Sequence, residues 1–162
     1  GPMDDQARDA FAWVEGRLRA LTTGRVLDMG CGDGRFLPRG GIGLDIDLER
    51  LRAARERSTL LVGGDARALP FADRSFDTVY AHRMLNDTGD VARALSEAAR
   101  VLRARGTLLV FTRARLGEGD RLDRWNGLER LRPYFFAVSV ELPDTDERAA
   151  LFIAERPRER SS

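Results

Sequence analysis

The sequence predicts an α/β domain with a parallel sheet covered by helices on both faces. Short apolar segments alternate along the chain with segments of helical periodicity, and nearly continuous apolar strands are typical of sheets that are buried on both sides. The last two apolar segments are joined by a short turn at 143–146. Because a parallel crossover needs a dozen or more residues, these two segments are predicted to form an antiparallel hairpin at one edge.

Five apolar segments have the length of short buried strands and lie between breaks at glycine, proline or acidic residues. They cover residues 25–29, 42–46, 60–62, 78–81 and 107–112. Helical spacing of apolar residues predicts helices before and between these strands. The predicted helices cover residues 3–21, a short piece at 35–37, a segment capped by Asp47, and residues 91–102. A later helix is predicted at 120–131, and the hairpin strands are predicted at 138–142 and 149–154.

The length of the chain predicts one domain. Its 162 residues are enough for a single buried core and too few for two. Residues 1–3 are expected to be a tag remnant and a start methionine, and residues 4–162 a single domain. Within that domain we expect a cofactor-binding core at 24–116 and a C-terminal helix and hairpin at 117–157.

Charge and residue usage disfavour several functions. The net charge of +1 gives no overall field that would attract nucleic acid, and no apolar run approaches the ~20 residues of a membrane span. All 27 basic residues are arginine, which excludes Schiff-base chemistry on a lysine. With one cysteine, Cys31, and one histidine, His82, we predict no metal site. We expect a cytoplasmic protein.

The first predicted strand ends in an acid and a glycine-rich turn, at the edge where open α/β sheets bind ligands. Gly30, Gly32 and Gly34 lie at alternate positions after Asp28, whereas the dinucleotide fingerprint is G-x-G-x-x-G. A carboxylate at this position would repel a pyrophosphate but could hold an ammonium group. The glycines alone are also typical of a tight strand-to-helix turn, and Cys31 inside the turn is interpreted as a packing residue rather than a nucleophile.

Three more strand ends carry polar residues. Asp45 could accept both hydroxyls of a ribose or cap the next helix, a role for which Asp47 is better placed. Asp65 could accept an exocyclic amine or lie in a surface turn. His82 has the unperturbed pKa of a general base but is equally compatible with a buried structural role. Because the carboxyl ends of parallel strands meet at one edge, we expect these side chains to converge.

The order of these motifs resembles class I S-adenosylmethionine-dependent methyltransferases, in particular the small single-domain branch of the UbiE/type-11 methyltransferase domain. The similar stretch runs from 26 to 116 and contains D-x-G-C-G-x-G from Asp28, G-x-D ending at Asp45, G-D-A-x-x-L-P-F-x-x-x-S-F-D from Gly64, and R-V-L-x-x-x-G from Arg100. The resemblance implies a Rossmann-like seven-stranded sheet of order 3-2-1-4-5-7-6, with strand 7 antiparallel and helices on both faces. It also implies S-adenosyl-L-methionine as the cofactor.

The resemblance assigns roles to individual residues. The implied cofactor-binding residues are Asp28, Gly30, Cys31, Gly32, Asp45, Ile46, Asp65, Ala66, Ala81 and His82. The first acid and the glycine turn would hold the methionine end of the cofactor, and Asp45 the ribose hydroxyls. Ile46, Asp65 and the Ala66 amide would contact the adenine. Ala81 and His82 would line the edge toward which the reactive methyl group points.

The chain departs from the family pattern near the expected acceptor. Leu85 and Asn86 stand where histidines are often found after the fourth strand. His82 is the candidate general base. Arg83, Arg113 and Arg115 follow the fourth and fifth strands and are interpreted either as a site for an anionic acceptor or as surface arginines placed by chance.

The predicted function is methyl transfer from S-adenosylmethionine by in-line displacement to an unidentified acceptor, with a small molecule or peptide favoured. The alternative is a catalytically silent S-adenosylmethionine-binding partner subunit. A nicotinamide-dependent oxidoreductase is disfavoured by Asp28 and by the glycine spacing. A homodimer is compatible with the sequence.

Overall fold

A computed structural model describes residues 4–57, 60–114 and 116–159. The predicted tag remnant at 1–3 lies outside these residues. The described residues form seven strands, four α-helices and one 3-10 turn at Leu85–Asp87. In chain order the helices and strands are α1 (Asp5–Leu21), β1 (Val26–Met29), β2 (Ile42–Asp45), α2 (Leu48–Ala54), β3 (Leu61–Gly63), β4 (Phe76–His82), α3 (Val91–Val101), β5 (Leu102–Thr112), α4 (Gly127–Leu131), β6 (Phe135–Glu141) and β7 (Ala150–Pro157).

The strands form one sheet of order β3-β2-β1-β4-β5-β7-β6. The first five strands pair in parallel, and β7 lies antiparallel between β5 and β6. The predicted strand order and the antiparallel hairpin are therefore confirmed. The chain reverses its direction of winding at β1, which pairs with β2 on one side and with β4 on the other. This reversal leaves a crevice at the carboxyl ends of the strands.

Two apolar clusters cover the two faces of the sheet. Helix α1 buries Phe11, Val14 and Leu18 against one face, in a cluster that includes Tyr80. Helix α3 packs on the other face, in a cluster that includes Val79. Because successive side chains of a strand point to opposite faces, neighbouring residues of β4 contribute to different clusters. Both faces of the central strands are buried, which explains the nearly continuous apolar sequence of these strands.

Two predicted helices are wrong in extent. Residues 35–37 form turns rather than a helical piece, because Pro38 and the glycines that follow it end the segment before a helix can propagate. The helix predicted at 120–131 covers only Gly127–Leu131. Its first half forms turns in which the side chains of Asp123 and Asn126 bond to nearby backbone groups, which is how Asp and Asn compete with helical hydrogen bonds.

The other boundaries differ by a few residues. Helix α3 ends at Val101, and β5 begins at Leu102 rather than at 107. The strands β4, β6 and β7 are also longer than predicted, because pairing with neighbours extends them beyond their apolar centres. Within the described part of the chain, no helix combines the length and the apolar character needed to cross a membrane.

Candidate active site at the carboxyl ends of the strands

The glycine-rich turn is fixed to the end of β2 by hydrogen bonds. The backbone N–H groups of Gly30 and Cys31 both donate to the carbonyl of Leu44, at 2.7 and 2.8 Å. Gly30 has a φ of +99°, and a Cβ atom on it would lie 2.7 Å from Cγ of Met84. Glycine is therefore required here both by the backbone conformation and by the close approach of the segment that follows β4.

Asp28 is a buried carboxylate with an unused hydrogen-bonding atom. It lies within β1, between Leu27 and Met29, with only 1% of its surface exposed, and its Oδ1 has no hydrogen-bond partner among the described residues. Burial, and secondly the negative charge of Asp45, raise the pKa of Asp28 to about 7. Buried polar groups are nearly always hydrogen-bonded, so an unpaired carboxylate oxygen indicates a place where a donor from a ligand is expected.

Asp45 holds the turn with its carboxylate. Its Oδ2 accepts a hydrogen bond from the backbone N–H of Gly32 at 2.8 Å, and its Oδ1 accepts one from Asp47 at 2.9 Å. Each carboxylate oxygen has two acceptor positions, so one position on each oxygen is left after these bonds. Asp47 itself caps α2, as the sequence indicates. Asp45 is therefore available for a ribose and does not serve as the helix cap.

A cavity of about 160 Å³ lies at the ends of β1, β2 and β3. Its lining includes Asp45, Ile46, Asp65 and Ala66, together with Gly30 of the glycine turn. The Ile46 side chain is 69% exposed, which is unusual for a large apolar residue at the end of a buried strand. It offers an apolar surface on which a flat ring could pack. The structure thus brings together four of the strand-end residues predicted from the sequence in one cavity, whose lining does not include Asp28.

Asp65 is paired with an arginine that the sequence analysis did not identify. Nε and Nη2 of Arg67 both donate to its carboxylate, and so does the backbone N–H of Arg67. These bonds hold the pKa of Asp65 below its usual value. Arg67 also lines the cavity. An adenine amine would share the Asp65 carboxylate with this guanidinium group.

Cys31 is buried within the turn, and its Sγ lies 3.6 Å from the carbonyl oxygen of Gly32. Burial and the neighbouring carboxylates of Asp28 and Asp45 raise the pKa of the Cys31 thiol to about 12. Because the thiolate is the nucleophilic form, the neutral thiol supports the interpretation of Cys31 as a packing residue.

Ala81 and His82 end β4. Ala81 is buried in the core with 1% of its surface exposed. His82 lies among three phenylalanine rings, and its Nε2 is buried without a hydrogen-bond partner among the described residues. Burial, and secondly the charge of Arg83, lower the pKa of His82 to about 4. The imidazole is therefore neutral at pH 7 but is a weak base, which does not favour the predicted role of general base.

The three predicted acceptor arginines differ in their surroundings. Arg83 is exposed, and its guanidinium carbon lies 5.1 Å from the centre of the Phe11 ring. Arg113 is largely buried and forms ion pairs with Asp146 and Asp4. The guanidinium group of Arg113 is therefore already paired within the fold, and its contact with an acceptor stays a prediction. Arg115 lies outside the described residues.

The segment after β4 supplies site residues that sequence reasoning missed. Met84 and Thr88 line the cavity, and the 3-10 turn between them brings this segment over the glycine turn. Asn86 exchanges two hydrogen bonds with the backbone of Leu122, one at 2.7 Å and one at 3.2 Å. In this chain Asn86 therefore fixes the loop that follows β5. The absence of a helical or strand pattern between His82 and Val91 was the available signal for a loop that contributes to the site.

Comparisons with known proteins place this geometry in a class. The structure matches an S-adenosylmethionine-dependent methyltransferase from Thermotoga maritima with a TM-score of 0.75 and 21% identity, covering 91% of this chain and 89% of the other. It also matches a methyltransferase solved in complex with the Trm112 activator of Haloferax volcanii, with a TM-score of 0.69 and 20% identity over 95% and 97% of the two chains. The fold is that of the class I methyltransferases.

The family follows from the sequence match. Residues 27–110, just over half of the chain, match the methyltransferase domain family, and the chain belongs to that family. A demethylmenaquinone methyltransferase from Roseiflexus sp. is 38% identical over 57% of this chain and 44% of its own length. A malonyl-[acyl-carrier protein] O-methyltransferase from Erwinia pyrifoliae is 35% identical over 67% and 45%. The chain thus spans about half the length of these relatives.

One structural match has a different named activity. The [4+2]-cyclase SpnF matches with a TM-score of 0.65 and 27% identity, covering 88% of this chain and 62% of its own. The fold and the family therefore define an S-adenosylmethionine-dependent methyltransferase domain but leave the acceptor open.

The residues present fit S-adenosylmethionine. The unpaired carboxylate oxygen of Asp28 suits an ammonium group, and the free acceptor positions of Asp45 suit ribose hydroxyls. The exposed Ile46 suits the face of an adenine ring. Among the described residues, no group of three or more His, Cys, Asp or Glu side chains could hold a metal ion.

Proposed function

We propose that this protein transfers a methyl group from S-adenosylmethionine to an acceptor bound beyond the ends of β4 and β5. The buried carboxylate of Asp28, with an oxygen that no described residue satisfies, is the observation that carries the proposal. It lies at the strand-order reversal, where α/β sheets bind their ligands. A buried charge without a partner is costly, and the ammonium group of the cofactor would supply one.

Each of these site residues would bind a different part of the cofactor. Asp28 would bind the amino group, Asp45 the ribose hydroxyls, and Ile46 one face of the adenine. Asp65 would accept a hydrogen bond from the adenine amine. The backbone N–H of Ala66 would donate a hydrogen bond to the adenine ring. When bound, the sulfonium centre supplies a methyl group that is already activated for transfer. The contribution of the chain is then mainly alignment, which can lower a barrier by up to ~7–11 kcal/mol.

His82 is proposed to orient the acceptor rather than to act as a strong base. Its pKa is lowered to about 4 by burial, so it keeps a free lone pair at neutral pH and can accept a hydrogen bond. A strong base is not required for every acceptor, because the leaving group is a neutral thioether. The substitution His82→Gln, which keeps an acceptor, is expected to reduce turnover less than His82→Ala.

A small molecule or a peptide is the favoured acceptor. The relatives are named for two kinds of acceptor, a menaquinone precursor and a malonyl group on a carrier protein. The pairing of Arg113 with Asp146 removes one of the cations proposed for an anionic acceptor. An uncharged acceptor therefore agrees better with the surroundings of β4 and β5.

A second candidate function is a silent cofactor-binding subunit. One observation favours it: a structural neighbour was solved in complex with the Trm112 activator. In this alternative the chain would bind S-adenosylmethionine and show no turnover without a second protein.

Calorimetric titration with S-adenosylhomocysteine tests the proposed site. Binding to the wild-type chain and loss of binding in Asp28→Ala and Asp45→Ala are expected, with Asp33→Ala as the control because Asp33 is an exposed acid in the same turn. Absence of binding by the folded wild-type chain would refute the proposal. Release of labelled methyl groups to a panel of acceptors then separates an active enzyme from a silent subunit.

A further inference from the structure

The loop between β3 and β4, residues 64–75, carries two of the proposed adenine contacts, Asp65 and Ala66. None of its residues belongs to a helix or a strand. Backbone hydrogen bonds to neighbouring elements hold its two ends, at Gly64 and at residues 74–75. The path of the loop between these ends therefore depends on other contacts.

Helix α3 supplies such contacts from one of its faces. Arg93, Glu97 and Arg100 follow one another at spacings of four and three residues, so their side chains share one side of the helix. Each of these side chains forms a hydrogen bond with the backbone of the β3–β4 loop. None of the three residues lines the cofactor cavity. An effect of these residues on cofactor binding must therefore pass through the loop.

Glu97 lies at the centre of this contact. Its surface is only 5% exposed, and its Oε1 accepts a hydrogen bond from the backbone N–H of Leu69 at 2.8 Å. Both carboxylate oxygens also accept hydrogen bonds from the guanidinium group of Arg100, at 2.7 and 3.2 Å. A buried ion pair is tolerated only when its remaining hydrogen-bonding groups are satisfied as well. The loop backbone satisfies them here, so the ion pair and the loop conformation depend on each other.

Arg100 uses all three nitrogen atoms of its guanidinium group. Nη2 donates to the carbonyl of Leu69 at 3.0 Å, and Nη1 donates to the carbonyl of Phe71 at 2.8 Å and to the side chain of Asp73 at 2.9 Å. Nε is bonded to Glu97. The ion pair thus holds Leu69 at both its N–H and its carbonyl group. Because the donors of a guanidinium group have fixed directions, these bonds define the path of the loop more narrowly than apolar contacts would.

Arg93 extends the contact toward the cavity. Its Nε donates to the carbonyl of Arg67 at 2.9 Å, and the guanidinium group of Arg67 binds the carboxylate of Asp65. The N–H of Ala68 donates to the carbonyl of Asp65 at 3.0 Å and closes a turn around Ala66. The contacts from α3 therefore reach the residue that directly follows Ala66.

We propose that Glu97 is a positioning residue: through its pair with Arg100, it holds the β3–β4 loop in the conformation that selects adenine. Arg93 supports the same conformation from the exposed end of this face. Adenine presents a donor amine beside an acceptor ring nitrogen, and hypoxanthine reverses both. A fixed carboxylate at Asp65 beside a fixed N–H at Ala66 distinguishes these two bases. The inference rests on the proposed function, because it concerns the adenine end of the same site.

Calorimetry with two ligands tests this positioning role. S-adenosylhomocysteine and S-inosylhomocysteine differ only at the base edge, and the wild type is expected to prefer the adenine ligand about a hundredfold. The preference should fall to about tenfold in Glu97→Ala and to about thirtyfold in Arg93→Ala. A ratio of two affinities measured on one variant does not depend on the fraction of the chain that is folded. A general loss of stability would therefore leave the preference unchanged.

Two further variants serve as matched controls. Glu97→Gln keeps an oxygen that accepts from the Leu69 N–H, so its preference should stay within about threefold of the wild-type value. Arg17→Ala removes an ion pair with Glu141, which lies on β6 at the opposite edge of the sheet. This variant should keep the wild-type preference.

The proposal is overturned if folded Glu97→Ala keeps the wild-type preference for adenine. Should Glu97→Ala fail to fold, Arg93→Ala decides, because Arg93 is exposed and an unchanged preference in that variant then rejects the proposal. Absence of binding of both ligands to the wild type rejects the proposed function. Equal binding of both ligands to the wild type rejects the adenine contacts and the positioning role together, and leaves the binding of the rest of the cofactor in place.

Discussion

Replacement of Asp28 by asparagine is predicted to stabilise the protein while it weakens cofactor binding. The pKa of Asp28 is raised from 3.8 to about 7, so the folded state favours the protonated carboxyl. The resulting destabilisation is absent below pH 3.8, grows between pH 3.8 and 7, and is constant above pH 7. At 1.36 kcal/mol for each unit of pKa shift, it amounts to about 4 kcal/mol at pH 8 and about 2 kcal/mol at pH 5.

Urea unfolding at pH 8 and at pH 5 measures this effect. Asp28→Asn removes the charge, and the gain of up to about 4 kcal/mol at pH 8 is expected to shrink by about half at pH 5. The amide keeps a polar group in the same buried place, so the full gain is an upper bound. Asp33→Asn, in the same turn but exposed, should change stability at neither pH by more than about 0.5 kcal/mol.

The binding of S-adenosylhomocysteine is expected to increase as Asp28 ionises, whereas the stability of the fold decreases. The ammonium group of the ligand needs the ionised carboxylate, so the affinity of the wild type should rise about tenfold between pH 6 and pH 8 for a pKa near 7. Asp28→Asn should bind more weakly and with little dependence on pH. A variant that is no more stable than the wild type at pH 8, or a gain that is the same at pH 5 and pH 8, would refute the assignment of a buried, destabilising carboxylate.

Three further predictions follow from single contacts. Arg113→Ala should destabilise the fold by about 3 kcal/mol, because it leaves the fully buried carboxylate of Asp146 without its cation; a stable variant with a raised KM for the acceptor would instead support the role in acceptor binding. Gly30→Ala should lower the free energy of unfolding by about 3 kcal/mol through backbone strain and contact with Met84. Gly32→Ala, also at positive φ but with no neighbouring atom within 4 Å, should lower it by about 1 kcal/mol. Equal losses of stability in thermal unfolding would contradict the steric argument. Arg67→Ala should strengthen binding of S-adenosylhomocysteine by up to about fivefold in calorimetry, because it frees the carboxylate of Asp65; weaker binding would show that Arg67 orients that carboxylate.

The positions of the strands were predictable because their signals are local, whereas their order in the sheet was predicted from the family resemblance. Most parallel strands are short apolar runs with an acid or another polar residue at or near the carboxyl end, as Asp28, Asp45 and His82 show. The hairpin could be inferred from the short turn at 143–146, and in the structure only the eight residues 142–149 join its two strands. The extent of the helices was less predictable, since Asp123 and Asn126 form turns through side-chain bonds that helical periodicity does not reveal.

Several residues of the candidate site could be predicted from the sequence, but their ion pairs and their protonation could not. Asp28, Asp45 and Asp65 were identified by their positions at strand ends, and Ile46 was identified through the family resemblance. That Asp65 is held by Arg67, that Arg113 is paired with Asp146, and that His82 is a weak base depends on neighbours in space. Asp146 lies 33 residues from its partner, and no sequence spacing links the two.

The sequence alone thus defines the class of fold, the edge of the sheet at which a ligand binds, and the acids that face it, because periodicity and strand ends are properties of short segments. Burial, ion pairing and ring stacking arise only when distant segments meet. The unpaired oxygen of Asp28 and the rings around His82 are therefore features of the folded chain, and they determine which of the predicted residues carry charge at neutral pH and which are free to bind a ligand.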